Sequence, residues 1–344
     1  MTARLILMTK RLFLSLTLVS SLHAADWEQL PPLPEPNGGF VCGHEKGKII
    51  VIGGTNWEGG TKNWLKVARF FDPAMRVWRS SHNMMNAVAY ACVFQSDEGL
   101  AFVGGFAGDG PSSWFGWAKE PRPVLYFDGH LPGNLVLASA GVVEGELIVV
   151  GGMSDPAVLD SVTSRTLKLQ WGRNGGRLSI VDHPQGDLAL QNNFTVKHLA
   201  AFPGKPFATA ASAVLGDELF VLGGMNYDAA AKLPVNSDEA YAFSPSKNAW
   251  RALKPLVKAK RGLTAVTLDE KHIYIAGGYA DDFTSEAVIY DVTTDSYRAA
   301  KSLPYAAMVG LVKLGDYVYC LGGEDKMKHR TDKFFRIAVA ELLK

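Results

Sequence analysis

One short phrase constrains this chain more than any other: an apolar run that ends in two glycines, met first as Lys48-Ile-Ile-Val-Ile-Gly-Gly54. It returns as Leu100-Ala-Phe-Val-Gly-Gly105, Leu147-Ile-Val-Val-Gly-Gly152, Leu219-Phe-Val-Leu-Gly-Gly224, Ile273-Tyr-Ile-Ala-Gly-Gly278 and Val318-Tyr-Cys-Leu-Gly-Gly323. Between second glycines the steps are 51, 47, 72, 54 and 45 residues. A repeat of roughly 50 residues decides the architecture before any single side chain does. The runs are strand-length, and glycine at their ends supplies positive dihedrals or a close backbone approach that branched residues resist. Six occurrences give these glycines a structural role.

Each unit reads as four strands. An Ala-, Val- and Gly-rich stretch such as Ala210 to Leu215 comes first, and the run ending in the double glycine is second. A loop of variable length leads to a third strand such as Glu286 to Tyr290. Trp78, Trp250 and Tyr297 open fourth strands, which end in Leu-Pro. One such unit cannot bury both faces of its sheet, so six pack radially, giving an all-β, six-bladed β-propeller over residues 25–344. After Gly323 only one further strand fits, around Lys333 to Ile337, while Trp27 to Pro34 has the aromatic opening and Leu-Pro ending of a fourth strand. The N-terminal strand is therefore expected to pair with the last blade and close the ring, which removes two exposed sheet edges.

The chain has 344 residues, and 35 Lys and Arg against 34 Asp and Glu leave a formal charge of +1. No field is available to steer nucleic acid or an anionic bilayer, so the partner is small or neutral. Arg4, Lys10 and Arg11 precede the apolar run Leu12 to Leu22, and small residues follow around Ala24. Residues 1–24 thus read as a secretory signal peptide, which places the protein in the periplasm or outside the cell. The run is too short to span a membrane. Cys42, Cys92 and Cys320 are an odd set that suggests no disulfide framework and reads as packing. No spacing resembles a metal site, and His44, His82 and His329 are scattered singly.

Two units depart from the pattern. Phe106 to Asn134 carries Trp114, Trp117 and four prolines, and its outer strands are not assigned from sequence; unit three holds an insertion at about residues 172–192, read as a surface loop or a lid. In a ring of such units, the loops from second to third strand surround the mouth of the central channel. Unit one contributes Thr55 to Trp64, with Asn56, Trp57 and Lys62; unit four contributes Asn226; unit six contributes Glu324 to Asp332, the most charged stretch of the chain. Aromatic faces with amides suit a sugar, and a carboxylate near an arginine adds proton transfer and anion binding. Glu324 with Arg330 reads equally well as a salt bridge that staples a loop.

The units resemble those of bacterial kelch propellers. Gly322-Gly-Glu324 followed by Arg330-Thr-Asp332 resembles the N-acetylneuraminate epimerase (sialic acid mutarotase) family, and Gly53 to Trp64 is similar to its cyclically permuted branch. The resemblance implies a cofactor-independent isomerase that speeds anomer interconversion of a sugar, with Glu324 transferring the proton and Arg330 holding the substrate carboxylate or the developing charge. Asn56, Trp57, Lys62, Asn226 and Arg261 are the expected supporting residues, Arg261 serving equally well to brace adjacent units. A non-catalytic propeller that binds a glycan or a protein is the alternative. A copper oxidase on the same fold would need clustered Tyr and His ligands, which the scattered histidines do not supply.

Overall fold

The computed structural model describes residues 26–84, 86–96, 99–106, 108–119, 122–131, 133–170, 181–182, 188–189 and 195–344. The expected signal peptide lies outside the described residues, as does the 172–192 insertion apart from a short pairing of Val181–Asp182 with Leu188–Ala189.

Six antiparallel four-stranded sheets stand in a ring. Blade one is Val41–Glu45, Lys48–Ile52, Val67–Asp72 and Val77–Asn83. Blade two is Cys92–Ser96, Gly99–Val103, Trp114–Lys119 and Arg122–His130, and blade three is Ser139–Val143, Glu146–Val150, Thr166–Gln170 and Thr195–His198. Blade four is Ala211–Leu215, Glu218–Leu222, Ala240–Ser244 and Ala249–Ala252, and blade five is Thr264–Thr267, His272–Ala276, Ala287–Asp291 and Ser296–Ala300. Blade six takes Met308–Leu314, Tyr317–Glu324 and Phe334–Ala338 from the C-terminal part of the chain. Its outermost strand is Glu28–Gln29, with Glu28 opposite Arg336 and Gln29 opposite Phe335. The closure expected from the sequence is the closure observed.

The apolar runs follow from this geometry. A second strand lies inside its blade, so both of its faces meet a neighbouring blade. Ile49 and Val51 enter the core shared with blade six, while Ile50 and Ile52 enter the core shared with blade two. All four are essentially inaccessible to water. Six such cores occupy the six interfaces between blades, which is why strict alternation is absent from these strands.

The double glycine is the latch between blades. All twelve of these glycines have positive φ. At the first pair, the Gly54 N–H donates to the Val88 carbonyl on the way into blade two, and a Cβ on Gly53 would stand 2.1 Å from that same oxygen. The corresponding bond recurs from Gly105 to Leu135, Gly152 to Phe207, Gly224 to Lys260, Gly278 to Ala307 and Gly323 to Asn37.

The fourth-strand aromatics add an outer latch. Each reaches back to the chain segment linking the preceding blade to its own: Trp78 Nε1 donates to Pro31 O, Trp250 Nε1 to Ala200 O, Tyr297 Oη to Lys254 O and Trp27 Nε1 to Ser302 O, at 2.8–3.0 Å. The leucines of Leu33-Pro34 and Leu303-Pro304 lie beyond the strands, in the links, and are buried there.

Candidate functional site

First strands crowd the axis, and the wall of the channel is built mainly from Ala, Gly and Val, with a few larger side chains among them. A Cβ on Gly43 would stand 2.4 Å from Gln95 Oε1, the atom that accepts the His44 N–H from the next blade. The channel encloses a cavity of about 600 Å³ that runs from Glu324 and Arg330 at one mouth to His44, Gln95 and Lys313 at the other end.

A backbone girdle frames the first mouth. Gly39, Tyr90, Leu137, Thr209 and Gly262 each precede a first strand, and all sit at φ between 58° and 70°. The Tyr90 N–H donates to Gly39 O, Leu137 to Tyr90 O, Thr209 to Leu137 O and Gly262 to Thr209 O, at 2.7–2.9 Å. Four bonds thus pass from blade one to blade five. Among the described residues the series stops at Gly262: in blade six, Met308 is paired with Glu324 beside a register shift.

Blade six differs again at the position after the double glycine. The other blades place Thr55, Phe106, Met153, Met225 and Tyr279 there; blade six places Glu324. Two of these, Met153 and Met225, join Val136 and Ala208 in an apolar cluster under blades three and four, against which Leu137 and one side of Tyr90 pack. The polar side of the mouth is therefore where blade six meets blades one and two.

There the Arg330 guanidinium is held in a planar fork. Nη1 is ion-paired with Glu324 Oε1 at 3.0 Å and donates to His329 O at 3.1 Å, and Nη2 donates to Tyr90 Oη at 3.3 Å. The Arg330 side chain is 4% exposed and that of Glu324 is 30% exposed, so the cation is fixed while the carboxylate keeps access to the cavity. Gly38 makes room for it, since a Cβ at that position would stand 2.4 Å from Arg330 Cδ. Tyr90 Oη also lies 3.3 Å from Thr55 Oγ1, and Lys62 Nζ sits 4.8 Å from the Tyr90 ring centroid and 4.4 Å from that of Trp64. Burial pushes the Tyr90 phenol up, but the Lys62 ammonium, the Thr55 hydroxyl and the Arg330 guanidinium outweigh it, leaving the phenol below its ordinary value.

The other residues expected from sequence sit as follows. Asn56 is buried in the loop, where its Oδ1 accepts from Asn63 Nδ2 at 2.8 Å. Trp57 stands under Lys328, whose Nζ is 5.6 Å from its ring centroid. Asn226 is buried on the hairpin Met225–Asp228 with Leu233–Asn236. Arg261 donates from Nη1 to Asn236 Oδ1 at 3.0 Å and covers the Tyr279 ring, bracing loops of blades four and five. None of these four lines the cavity, nor does Lys62, which reaches it through Tyr90. Trp64 is packed on Phe106, with centroids 4.8 Å apart. Trp114 and Trp117 fall in the third strand of blade two. Sequence reasoning missed Tyr90. Its signal was the offset: Gly39, Tyr90, Leu137, Thr209 and Met308 all stand fourteen residues before a first glycine.

Residues 206–257 match the Kelch motif. The unit that supplies blade four is of kelch type. Kelch-like protein 35 of Mus musculus is 24% identical over 96% of this chain and 54% of its own length. N-acetylneuraminate epimerase of Yersinia pestis (strain Pestoides F) is 38% identical over 39% of this chain and 44% of its own length. Kelch-like protein 25 of Xenopus tropicalis is 29% identical over 34% of this chain and 18% of its own. The chain spans about half the length of the first two of these relatives.

Proposed function

We propose that the protein is a sugar mutarotase, acting on N-acetylneuraminate or a related acidic sugar, with Glu324 as the proton-transfer group. The observation that carries this reading is the departure of blade six: the one carboxylate among the six equivalent mouth positions is paired with a buried arginine and opens on the cavity. The similarity to N-acetylneuraminate epimerase supports the substrate class.

Mutarotation needs a proton removed from the anomeric hydroxyl and another delivered to the ring oxygen, so that the ring opens and recloses on the other face. Glu324 removes the first. Arg330 is ion-paired with its carboxylate, and an incoming sugar carboxylate competes for the same guanidinium. Arg330 steadies the negative charge that develops. A positioned acid or base contributes about 10²- to 10⁴-fold, a useful gain on a reaction that already proceeds in water. We propose that this chemistry takes place outside the cytoplasm, in keeping with the signal peptide expected from the sequence.

A binding-only reading is favoured by the Kelch-like relative that covers nearly the whole chain, and by exposed Leu233, Val235, Val257 and Met327 on the loops and links. Proton NMR of freshly dissolved crystalline N-acetylneuraminate separates the two. Faster anomer equilibration with the parent, lost in Glu324→Gln while the sugar still binds, is the expected result. Coincident curves for parent, variant and buffer would remove N-acetylneuraminate mutarotation and leave the binding reading.

A further inference from the structure

We propose that Tyr90 is the second proton-transfer group, the acid that protonates the ring oxygen while Glu324 takes the anomeric proton. This rests on the mutarotase reading and completes it, because an ionised carboxylate that takes the anomeric proton has none of its own to give the ring oxygen.

Geometry makes the assignment. An anomeric carbon carries two oxygens that need opposite treatment, and Arg330 presents two groups suited to them on the two arms of one planar fork: Glu324 Oε1 on Nη1 and Tyr90 Oη on Nη2. Both residues line the cavity. Tyr90 is fixed on the girdle by its own N–H and C=O bonds, and its ring lies against Gly39, where a Cβ would stand 2.3 Å from Cε1. The phenol is thus aimed by the backbone of three blades. Of the other titratable groups of the cavity, Cys42 has its thiol pushed up to about 12 by burial, and His44 and Lys313 lie at the far end.

The charges around the hydroxyl suit an acid. Facing it are Lys62 from the blade-one loop, Arg330 from the blade-six loop and, through Arg330, Glu324; Thr55 contributes a hydroxyl. Two cations stabilise the phenolate left after proton donation, which is the reason the free phenol already sits below its ordinary value. The step balances. The Tyr90 O–H proton passes to the ring oxygen as the bond from that oxygen to the anomeric carbon breaks; the anomeric O–H proton passes to Glu324 and a carbonyl forms. After rotation about the adjacent carbon–carbon bond the new hydroxyl attacks the other carbonyl face, returning its proton to Tyr90 while Glu324 reprotonates the anomeric oxygen.

The test is the pH profile of kcat/KM for anomer equilibration, measured above background, with Tyr90→Phe and Lys62→Met beside the parent. Tyr90→Phe keeps the ring and its packing, and its far-ultraviolet spectrum and melting point confirm the fold. An acid must be protonated, so the parent loses rate as pH rises through the phenol's pKa, below the ordinary tyrosine range. Tyr90→Phe is expected to lose about 10²-fold and the alkaline limb with it. Lys62→Met should move that limb to higher pH, and ultraviolet difference titration of parent against Tyr90→Phe should show one phenol ionising at the pH of the limb. A variant within twofold of an active parent, with the same limb, overturns the role of Tyr90 alone. A parent no faster than buffer overturns the mutarotase reading and this inference together.

Discussion

Replacing Trp27 by alanine tests whether the ring is held shut by the strand at residues 28–29. Trp27 is buried among Tyr274, Leu303, Tyr305 and Ile337 in the core between blades five and six, while Leu30 and Leu33, a few residues on, are buried between blades six and one. The segment therefore pins two interfaces at once. Truncating a buried Trp costs about 3–5 kcal/mol, and the orphaned Ser302 carbonyl adds about 1 kcal/mol. With a guanidinium slope of about 4 kcal/mol per molar, the midpoint followed by far-ultraviolet circular dichroism should fall by about 1 M. Trp250→Ala is the control, since its indole makes the same bond to Ala200 within a blade built from contiguous chain. Comparable losses are expected. A Trp27→Ala midpoint equal to the parent's, with Trp250→Ala clearly lowered, would refute the reasoning and make the strand peripheral.

Three further outcomes follow from geometry already described. Gly53→Ala places a methyl on the Val88 carbonyl at φ 62°, and should lower stability by about 2 kcal/mol or more, read as a lowered denaturation midpoint. Glu28 is held below the ordinary glutamate range by its hydrogen bonds from Arg336 and then Arg76. A depressed folded pKa gives stability that is present above the unfolded value and lost as pH falls through the folded one, so the midpoint of the parent should drop with acid more than that of Glu28→Gln, and less so in high salt. Burial pushes the thiols of Cys92 and Cys320 up to about 12, so a thiol reagent at neutral pH should label them only as fast as the protein unfolds, whereas half-buried Cys42 on the channel wall should react sooner.

The fold was legible because its cause is repeated. Six double glycines, four indoles or phenols with the same back-bond and one displaced fourth strand are all backbone requirements, and each recurs at its own offset. Blade two was less so. Pro123 counts against a strand, yet it lies in Arg122–His130, the outermost strand of its sheet, where a missing N–H breaks no ladder. Glu324 and Arg330 were found through spacing along one loop, and the structure brings them to 3.0 Å. Tyr90 was not, because it meets Arg330 across 240 residues of sequence, through ring closure alone. Asn56 and Asn226 illustrate the converse: amides on a promising loop are buried in it.

The girdle at the channel mouth separates two tasks that most proteins entangle. Its bonds run from main chain to main chain, so they hold whether the residue is Gly39, Tyr90, Leu137 or Thr209. The side chain facing the cavity can then differ from blade to blade on a frame that stays the same, each residue other than glycine bearing the strain of its positive φ. A propeller built this way changes its lining as a combination lock changes its number, by turning single wheels while the case stays shut.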